Sequence, residues 1–394
     1  MIDVARARAD TPGCRDVAHF NNAGAALPTR AVLDTVVEHL ELEARVGGYM
    51  AADLAAERSA AVYASVASLL GASADEIALV ENATRAWDMV AYSLGASFGP
   101  GDRVLTSQAE YASNVIGLLQ LARRTGATVE VVPDDESGRL SVDALAEMLD
   151  ERVRLVAMSW IPTQGGLVNP AAAVGAVTRA VGVPYLLDAC QAAGHLPIDV
   201  GALGCDFLSA TGRKYLRAPR GTGLLYVRRD WIERLEPPFL DVHAAQWASG
   251  DQIVARADAR RFESWERSVA NQLGLGAAVD YALALGLDAI AERVLALAES
   301  LRAQLARIDG LTLHDRGVER CGIVTFTVDR VDVYELATSL RAQGINISVS
   351  TIDFARYDFE ARGLTAVNRA SVHYYNTDDE LARLADAVAT APRA

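Results

Sequence analysis

Several short stretches of the chain carry residue types that can do chemistry. "LSATGRKYLRAPRGTGLLYV" (208–227) sets Lys214 after an apolar run, with Thr211, Gly212 and Arg213 between and glycines beyond. An amine entering a buried region is costly unless it is paired or deprotonated, and a deprotonated amine is a nucleophile. "LLDACQ" (186–191) ends another apolar run on Asp188, 26 residues before Lys214, with Gln191 three residues further on. "SQAEYASN" (107–114) supplies Tyr111 and "WIPTQGG" (160–166) supplies Thr163. "ENATRAW" (81–87) puts Ala83 and Thr84 at the start of a helix, where free backbone N–H groups can hold an anion.

A reactive amine, a carboxylate, an aromatic face and a phosphate cradle are the set that pyridoxal 5'-phosphate (PLP) requires. Lys214 forms a Schiff base with the aldehyde, and burial lowers its pKa so that the amine can attack. Asp188 opposite the pyridine nitrogen keeps that nitrogen protonated, which makes the ring an electron sink. Tyr111 stacks on the ring. Ala83, Thr84, Thr163, Gln191, Thr211 and Arg213 complete the cofactor contacts, with Arg213 at the phosphate.

These residues must be brought together, and the runs around them say how. "RVLTS" (103–107), "TVEVVP" (128–133), "VRLVAMSW" (153–160), "PYLLDA" (184–189) and "DFLSAT" (206–211) read as buried strands. Amphipathic stretches such as 140–149 and 171–180 separate them. Near-continuous apolar strands alternating with helices mean a largely parallel sheet covered on both faces. Ligands of such a sheet sit beyond the carboxyl ends of its strands, where Asp188, Thr211, Thr163 and Tyr111 all fall. "GTGLLYV" (221–227) follows a short glycine turn and is expected as an antiparallel addition.

After about residue 238 the texture changes. "RFESWERS" (261–268) leads into a long helical run that includes 280–305. "GIVTFTV" (322–328), a helix near 333–343, "INISVS" (345–350) and "RASVHYY" (369–375) then suggest a smaller α+β domain, closed by a helix from Asp378. The expected organisation is an N-terminal segment over 1–25, a large PLP-binding domain over 26–260, and a linking helix with a small C-terminal domain over 261–394.

Composition narrows the class. The chain has 394 residues, 51% of them apolar, enough for two cores, and a formal charge of −14 that repels phosphate backbones. No apolar run approaches the roughly 18 residues of a membrane span, and the first residues carry no secretory pattern. Cys14, Cys190, Cys205 and Cys321 lack the spacing of a zinc site or a disulfide framework. The expectation is a cytoplasmic protein with no metal, no membrane and no nucleic-acid partner. The cysteines and His195 are expected to pack structurally.

The stretch 205–225 resembles the lysine signature of class-V aminotransferases, the branch of fold-type I PLP enzymes that includes cysteine desulfurases and isopenicillin N epimerase. The D-x-x-Q of Asp188 and Gln191 matches that family too, and the likeness runs from about Phe20 to the last helix. "NRASVHYYNT" (368–377) looks like the family segment whose arginine binds the substrate carboxylate, which implies that role for Arg369. "FNNAGAALP" (20–28) looks like its N-terminal segment, which implies substrate contacts from Asn22, Ala23 and Gly24. The resemblance further implies a homodimer with shared active sites, for which Phe262 and Trp265 are the candidate anchors.

Two departures shape the functional expectation. Desulfurases carry a histidine where this chain has Tyr111, and a cysteine on a loop before the carboxylate arginine. Here the span 345–369 contains no cysteine, which disfavours a persulfide-forming desulfurase. "EARVGGYMAA" (43–52) and "VSTIDFARYDFEARGL" (349–364) look most like hercynylcysteine sulfoxide lyase-type C–S lyases, and add Tyr49 as a substrate contact. The expected activity is PLP-dependent β-elimination from a cysteine S-conjugate or sulfoxide, a small amino-acid substrate, giving pyruvate, ammonia and a thiol or sulfenate. Lys214, Asp188 and Tyr111 are its candidate catalytic residues. Epimerisation, transamination or decarboxylating deamination of a secondary-metabolite amino acid is the alternative. A non-enzymatic binding protein is disfavoured because both Lys214 and Asp188 are present.

Overall fold

The computed structural model describes residues 2–393. Its main sheet contains β1 (Ile77–Val80), β2 (Arg103–Ser107), β3 (Thr128–Val132), β4 (Val153–Ser159), β5 (Tyr185–Asp188), β6 (Phe207–Thr211) and β7 (Gly223–Val227). Their order is β1-β7-β6-β5-β4-β2-β3. The pairs from β2 to β6 are parallel, and β7 runs antiparallel to both β6 and β1.

The continuous apolar character of these strands follows from burial on both sides. Side chains alternate across a strand, so neighbours in sequence face opposite layers. Leu155, Ala157, Leu186 and Phe207 enter one hydrophobic cluster with Trp87 and Val90 of helix Ala83–Gly95. Val156, Met158, Leu187 and Leu208 enter the other. The expected large, mostly parallel sheet is present, with 221–227 as its antiparallel member.

A second, antiparallel sheet lies in the C-terminal third: β8 (Leu311–Leu313), β9 (Ile323–Val328), β10 (Ser348–Thr351) and β11 (Ala366–Ser371), in the order β8-β9-β11-β10. Its register sets Ser348 directly opposite Arg369. The N-terminal segment is stitched onto this part of the molecule. Ala18–His19 pairs in parallel with Ile345–Asn346, and Ser371 N–H donates to the Phe20 carbonyl at 2.6 Å.

Three features differ from the expectation. The helical run through 280–305 is two helices, Val269–Leu285 and Leu287–Leu305, bent by 80°. Gly286 sits between them at φ +85°, a conformation an L side chain rarely adopts, and so ends the first helix. Helix Val269–Leu285 packs against Arg30–Val46 and Ala56–Leu70, so residues beyond the expected boundary at 260 belong structurally with the N-terminal helices. "RFESWERS" begins inside a short helical turn, Ala259–Phe262, and is irregular over 263–268. Phe262 is buried in its own subunit's core, whereas Trp265 is 51% exposed. Among the described residues no single helix is long and apolar enough to cross a membrane.

Candidate active site

Two adjoining cavities open at the carboxyl ends of the main-sheet strands. The larger, about 430 Å³, is floored by Asp188, Thr211 and Lys214 and walled by Tyr111, Asn114 and Cys190. β5 delivers Asp188, whose Oδ1 accepts from Cys190 N–H (2.8 Å) and whose Oδ2 accepts from Asn114 Nδ2 (2.9 Å). Asn114 lies on the helix that opens immediately after Tyr111. β6 ends at Thr211, whose hydroxyl bonds the Thr222 carbonyl at 3.2 Å, and the chain then turns to present Lys214.

That turn is tightly specified. Arg217 N–H donates to the Lys214 carbonyl and Ala218 N–H to the Gly212 carbonyl, both at 2.9 Å. A Cβ on Gly212 would collide with Thr222 Oγ1 and lie 2.8 Å from Ala218 Cβ. Lys214 is buried, its Nζ 5.9 Å from the centre of the Tyr111 ring. Burial pushes the ammonium pKa down; the charge of Asp188 opposes the shift, and those of Arg213 and Arg369 add to it.

The opposite wall is the N-terminus of helix Ala83–Gly95, presenting Ala83 and Thr84. Asn82 caps this helix, its Oδ1 accepting from Arg85 N–H at 2.9 Å, and lines the cavity beside them. Gly223 makes that position possible, because a Cβ there would lie 2.7 Å from the Asn82 backbone. Free helix N–H groups, a carboxylate, an aromatic ring and an amine depressed by burial match the phosphate, pyridine and aldehyde of PLP. Gln191, one layer deeper, has a buried Oε1 with no hydrogen-bond partner.

The second cavity, about 220 Å³, shares Tyr111, Arg213 and Lys214 with the first. Its other walls are Asn21, Ala23 and Gly24 from the N-terminal segment, Ser348, Ser350 and Phe354, then Thr163 and Arg369. Arg369 Nη1 donates to the Thr163 carbonyl (2.9 Å) and hydroxyl (2.6 Å), and Nε to Ser348 Oγ (3.0 Å). Its Nη2 reaches Asn21 Oδ1 at 3.3 Å. Burial pulls its pKa down to about 10, so it remains a cation at neutral pH.

Most of the residues expected at the site line these two cavities, with five differences of placement. Thr163 lines the second cavity with Arg369 rather than the first. Arg213 lines both and donates to the Gly24 carbonyl. Gln191 lines neither; its Nε2 donates to Ala23 O and Thr163 Oγ1, each at 3.1 Å. Asn22 is turned away from the cavity, because its Nδ2 is spent on the carbonyls of His19 (3.1 Å) and Ser371 (2.7 Å) while Oδ1 takes the Tyr375 hydroxyl. Its neighbour Asn21 holds the position expected of it. Tyr49 is 75% exposed on helix Gly48–Leu54 and lines neither cavity.

His195 is structural, as expected, yet it bears on the site. Gly322 N–H donates to its Nε2 at 3.0 Å, so Nδ1 carries the proton and donates to the Gln191 carbonyl at 3.0 Å. Burial holds its pKa down to about 4. Sequence reasoning missed Asn114, Cys190, Ser348 and Ser350 as cavity residues, whereas Asn82 was read with Ala83 and Thr84 at the helix start. Asn114 had a usable signal, one helical turn from Tyr111 and therefore on its face. The two serines had none.

A family model described as aminotransferase class-V matches residues 18–384. A probable cysteine desulfurase of Xylella fastidiosa is 32% identical over 98% of this chain and 95% of its own. The structure of a cysteine desulfurase from Escherichia coli superposes with a TM-score of 0.92 at 25% identity, covering 98% of each chain. A cystine C–S lyase in complex with its product cysteine persulfide shares the fold, with a TM-score of 0.87 at 22% identity over 96% of this chain and 99% of its own. The chain belongs to the class-V aminotransferase family and is a PLP-dependent enzyme of the fold-type I architecture.

Proposed function

We propose that this class-V aminotransferase family member is a C–S lyase that cleaves a cysteine S-conjugate or S-oxide by β-elimination, with no protein thiol in the reaction. Its cysteine desulfurase relatives support cleavage of a carbon–sulfur bond in a small amino acid. The observation that carries the finer reading is the lining of the second cavity, which among the described residues holds two arginines, a lysine, hydroxyls, an amide and two aromatic rings but no cysteine. Cys190 lies on the cofactor side, and burial pushes its thiol well up. The same cause raises Cys205 and Cys321 to about 12, and Cys14 is raised as well. A thiol held protonated is a poor nucleophile.

In this reading Asp188, Tyr111, Lys214 and the N-terminus of helix Ala83–Gly95 hold PLP, which when bound accepts the electron pair left at the substrate's Cα. Arg369 holds its planar fork toward the substrate carboxylate and meets it with its charge and the one Nη2 hydrogen that Asn21 leaves free. Thr163, Ser348 and Asn21 keep that fork in one orientation by accepting its hydrogens. Lys214 Nζ, shifted toward the free amine by burial, takes the α-proton. The Cβ–S bond breaks with its electron pair on sulfur, and in this reading Tyr111 protonates the departing group, a role supported by its lining both cavities. Water converts the remaining three-carbon enamine to pyruvate and ammonium, which balances the reaction without an oxidant or reductant.

The working unit in this reading is a homodimer. Phe239, Val242 and Trp247 are exposed on the segment before residue 250, and the Arg85 guanidinium stacks over Phe239 at 4.6 Å. Arg85 directly follows Thr84, so this apolar surface begins at the rim of the phosphate cradle. A second copy covering it would bury aromatic anchors beside the site.

The deciding assay incubates the holoenzyme with S-alkyl cysteines, a cysteine S-oxide and free cysteine, following pyruvate and the released sulfur species. Pyruvate from the substituted substrates in excess of that from cysteine supports the proposal. Alanine with protein-bound persulfide from cysteine, and no pyruvate from any substrate, would establish sulfur transfer instead.

A further inference from the structure

Asp188 is held by a buried network that extends beyond both cavities. Glu110 is buried just before the helix that carries Asn114. Its Oε1 accepts from Tyr111 N–H (2.8 Å), Asn114 Nδ2 (2.9 Å) and Ser159 Oγ (2.5 Å). Its Oε2 accepts from Ser159 N–H (2.7 Å) and Ser107 Oγ (3.2 Å). The other hydrogen of Asn114 Nδ2 goes to Asp188 Oδ2 at 2.9 Å. One amide therefore bridges two buried carboxyl groups.

We propose that Glu110 is a positioning residue that acts through Asn114 to hold the Asp188 carboxyl group oriented toward the cofactor ring. The inference rests on the reading that Asp188 meets the ring nitrogen of PLP.

A carboxamide has a donor end and an acceptor end, and only its surroundings decide which way round it sits. Both partners of Asn114 Nδ2 are carboxyl oxygens. Turning the amide over would set Asn114 Oδ1 against Glu110 Oε1, an oxygen already fixed by the Tyr111 backbone N–H. Two acceptors would then face each other in a site closed to water, which is unfavourable by more than a lost hydrogen bond. Both Glu110 oxygens face fixed backbone donors, Tyr111 N–H at Oε1 and Ser159 N–H at Oε2, so a glutamine at this position cannot satisfy both ends. Burial and the Asp188 charge push the Glu110 pKa up, while the Ser159, Asn114 and Tyr111 donors pull it down.

Without Glu110 the amide is free to turn. Asp188 would keep only the Cys190 N–H as a fixed donor, and a carbonyl oxygen facing Oδ2 would repel the carboxyl group and free it to turn away from the ring.

The test titrates PLP into apoprotein of the wild type and of Glu110→Gln, Asn114→Ala, Asp188→Asn and Glu110→Gln/Asp188→Asn, recording affinity, the visible absorption of bound PLP and thermal melting. The expected result is that Glu110→Gln and Asn114→Ala melt cooperatively and bind PLP roughly tenfold more weakly. Both should show the spectral change of Asp188→Asn, and the double variant should be no worse than Asp188→Asn alone. Wild-type affinity and spectrum in Glu110→Gln, or losses that add to those of Asp188→Asn, overturn the proposal. If Glu110→Gln does not fold, Asn114→Ala decides by the same two readouts. An unaltered Asp188→Asn would remove the Asp188 assignment and the relay together, whereas an altered Asp188→Asn beside an unaltered Glu110→Gln removes the relay alone.

Discussion

The two cavities meet at Lys214 but are built in different ways. Every wall of the cofactor-side cavity comes from residues 82–214, at the strand ends of one sheet, and its polar groups are held by close neighbours. The substrate side takes Asn21 from the N-terminal segment, Thr163 from the large sheet region, and Ser348 and Arg369 from facing strands of the small sheet. The bonds of Arg369 run to all three parts. The first cavity is therefore lined by one continuous stretch of the chain, and the second by three separate stretches. Chemistry that many substrates share can reside in the first, and the choice of substrate in the second.

Damage to the shared element should be the most severe. Lys214→Ala removes both the amine that binds the aldehyde and the base for the α-proton, so turnover should fall by about 10³-fold or more with the fold intact. The checks are steady-state kinetics with circular dichroism, together with loss of borohydride-fixed cofactor at that position. A folded Lys214→Ala enzyme within tenfold of wild type would break the division at its centre.

Damage to the assembled side should be smaller and of another kind. Arg369→Ala should cost roughly 2–4 kcal/mol in kcat/KM, while PLP affinity stays close to wild type. Arg369→Lys keeps the charge but loses the fork, and should recover only part of the loss. Cofactor affinity falling in step with kcat/KM would mean that the two cavities are one unit.

The joint between the sides has a pH signature. His195 ties Gln191, which lies behind both cavities, to Gly322 just before β9. It stays neutral in the folded protein down to about 4 but protonates near 6.5 once unfolded. The unfolded state therefore binds more protons as pH falls from 6.5 toward 4, and stability is lost over that window, by no more than about 3 kcal/mol. His195→Gln should melt lower at pH 7 and show a shallower pH dependence between 7 and 4.5. Identical slopes for the two proteins would place the acid sensitivity elsewhere.

The same contrast explains what could be read from the sequence. The spacing of Asp188, Gln191 and Lys214 after apolar runs was legible because strand ends of a parallel sheet bring their next residues together without long-range help. "IALV" (77–80) was not read as a strand, being short and followed at once by the helix-capping "ENAT". The assignment of Asn22 to the cavity missed by one residue. Which of two adjacent asparagines faces inward is set by the distant Ser371 and Tyr375, and no local pattern encodes that choice. Gly286 stood in view, but an apolar helical period continues on both sides of it, so the pattern masked the break. Phe262, expected at a subunit interface, fills its own core instead. Tyr49 was grouped with the substrate contacts by resemblance, yet its helix turns it to solvent.

The smallest expected effect tests the central claim, that sulfur leaves without help from a protein thiol. In a variant with Cys14, Cys190, Cys205 and Cys321 all replaced by alanine, three buried sites lose volume, so the melting temperature should fall. The measurement is the rate of pyruvate release from an S-substituted cysteine by this variant, loaded with PLP and checked for folding. Release within a few-fold of wild type is the predicted result; a folded, PLP-bound variant with no release would contradict the account.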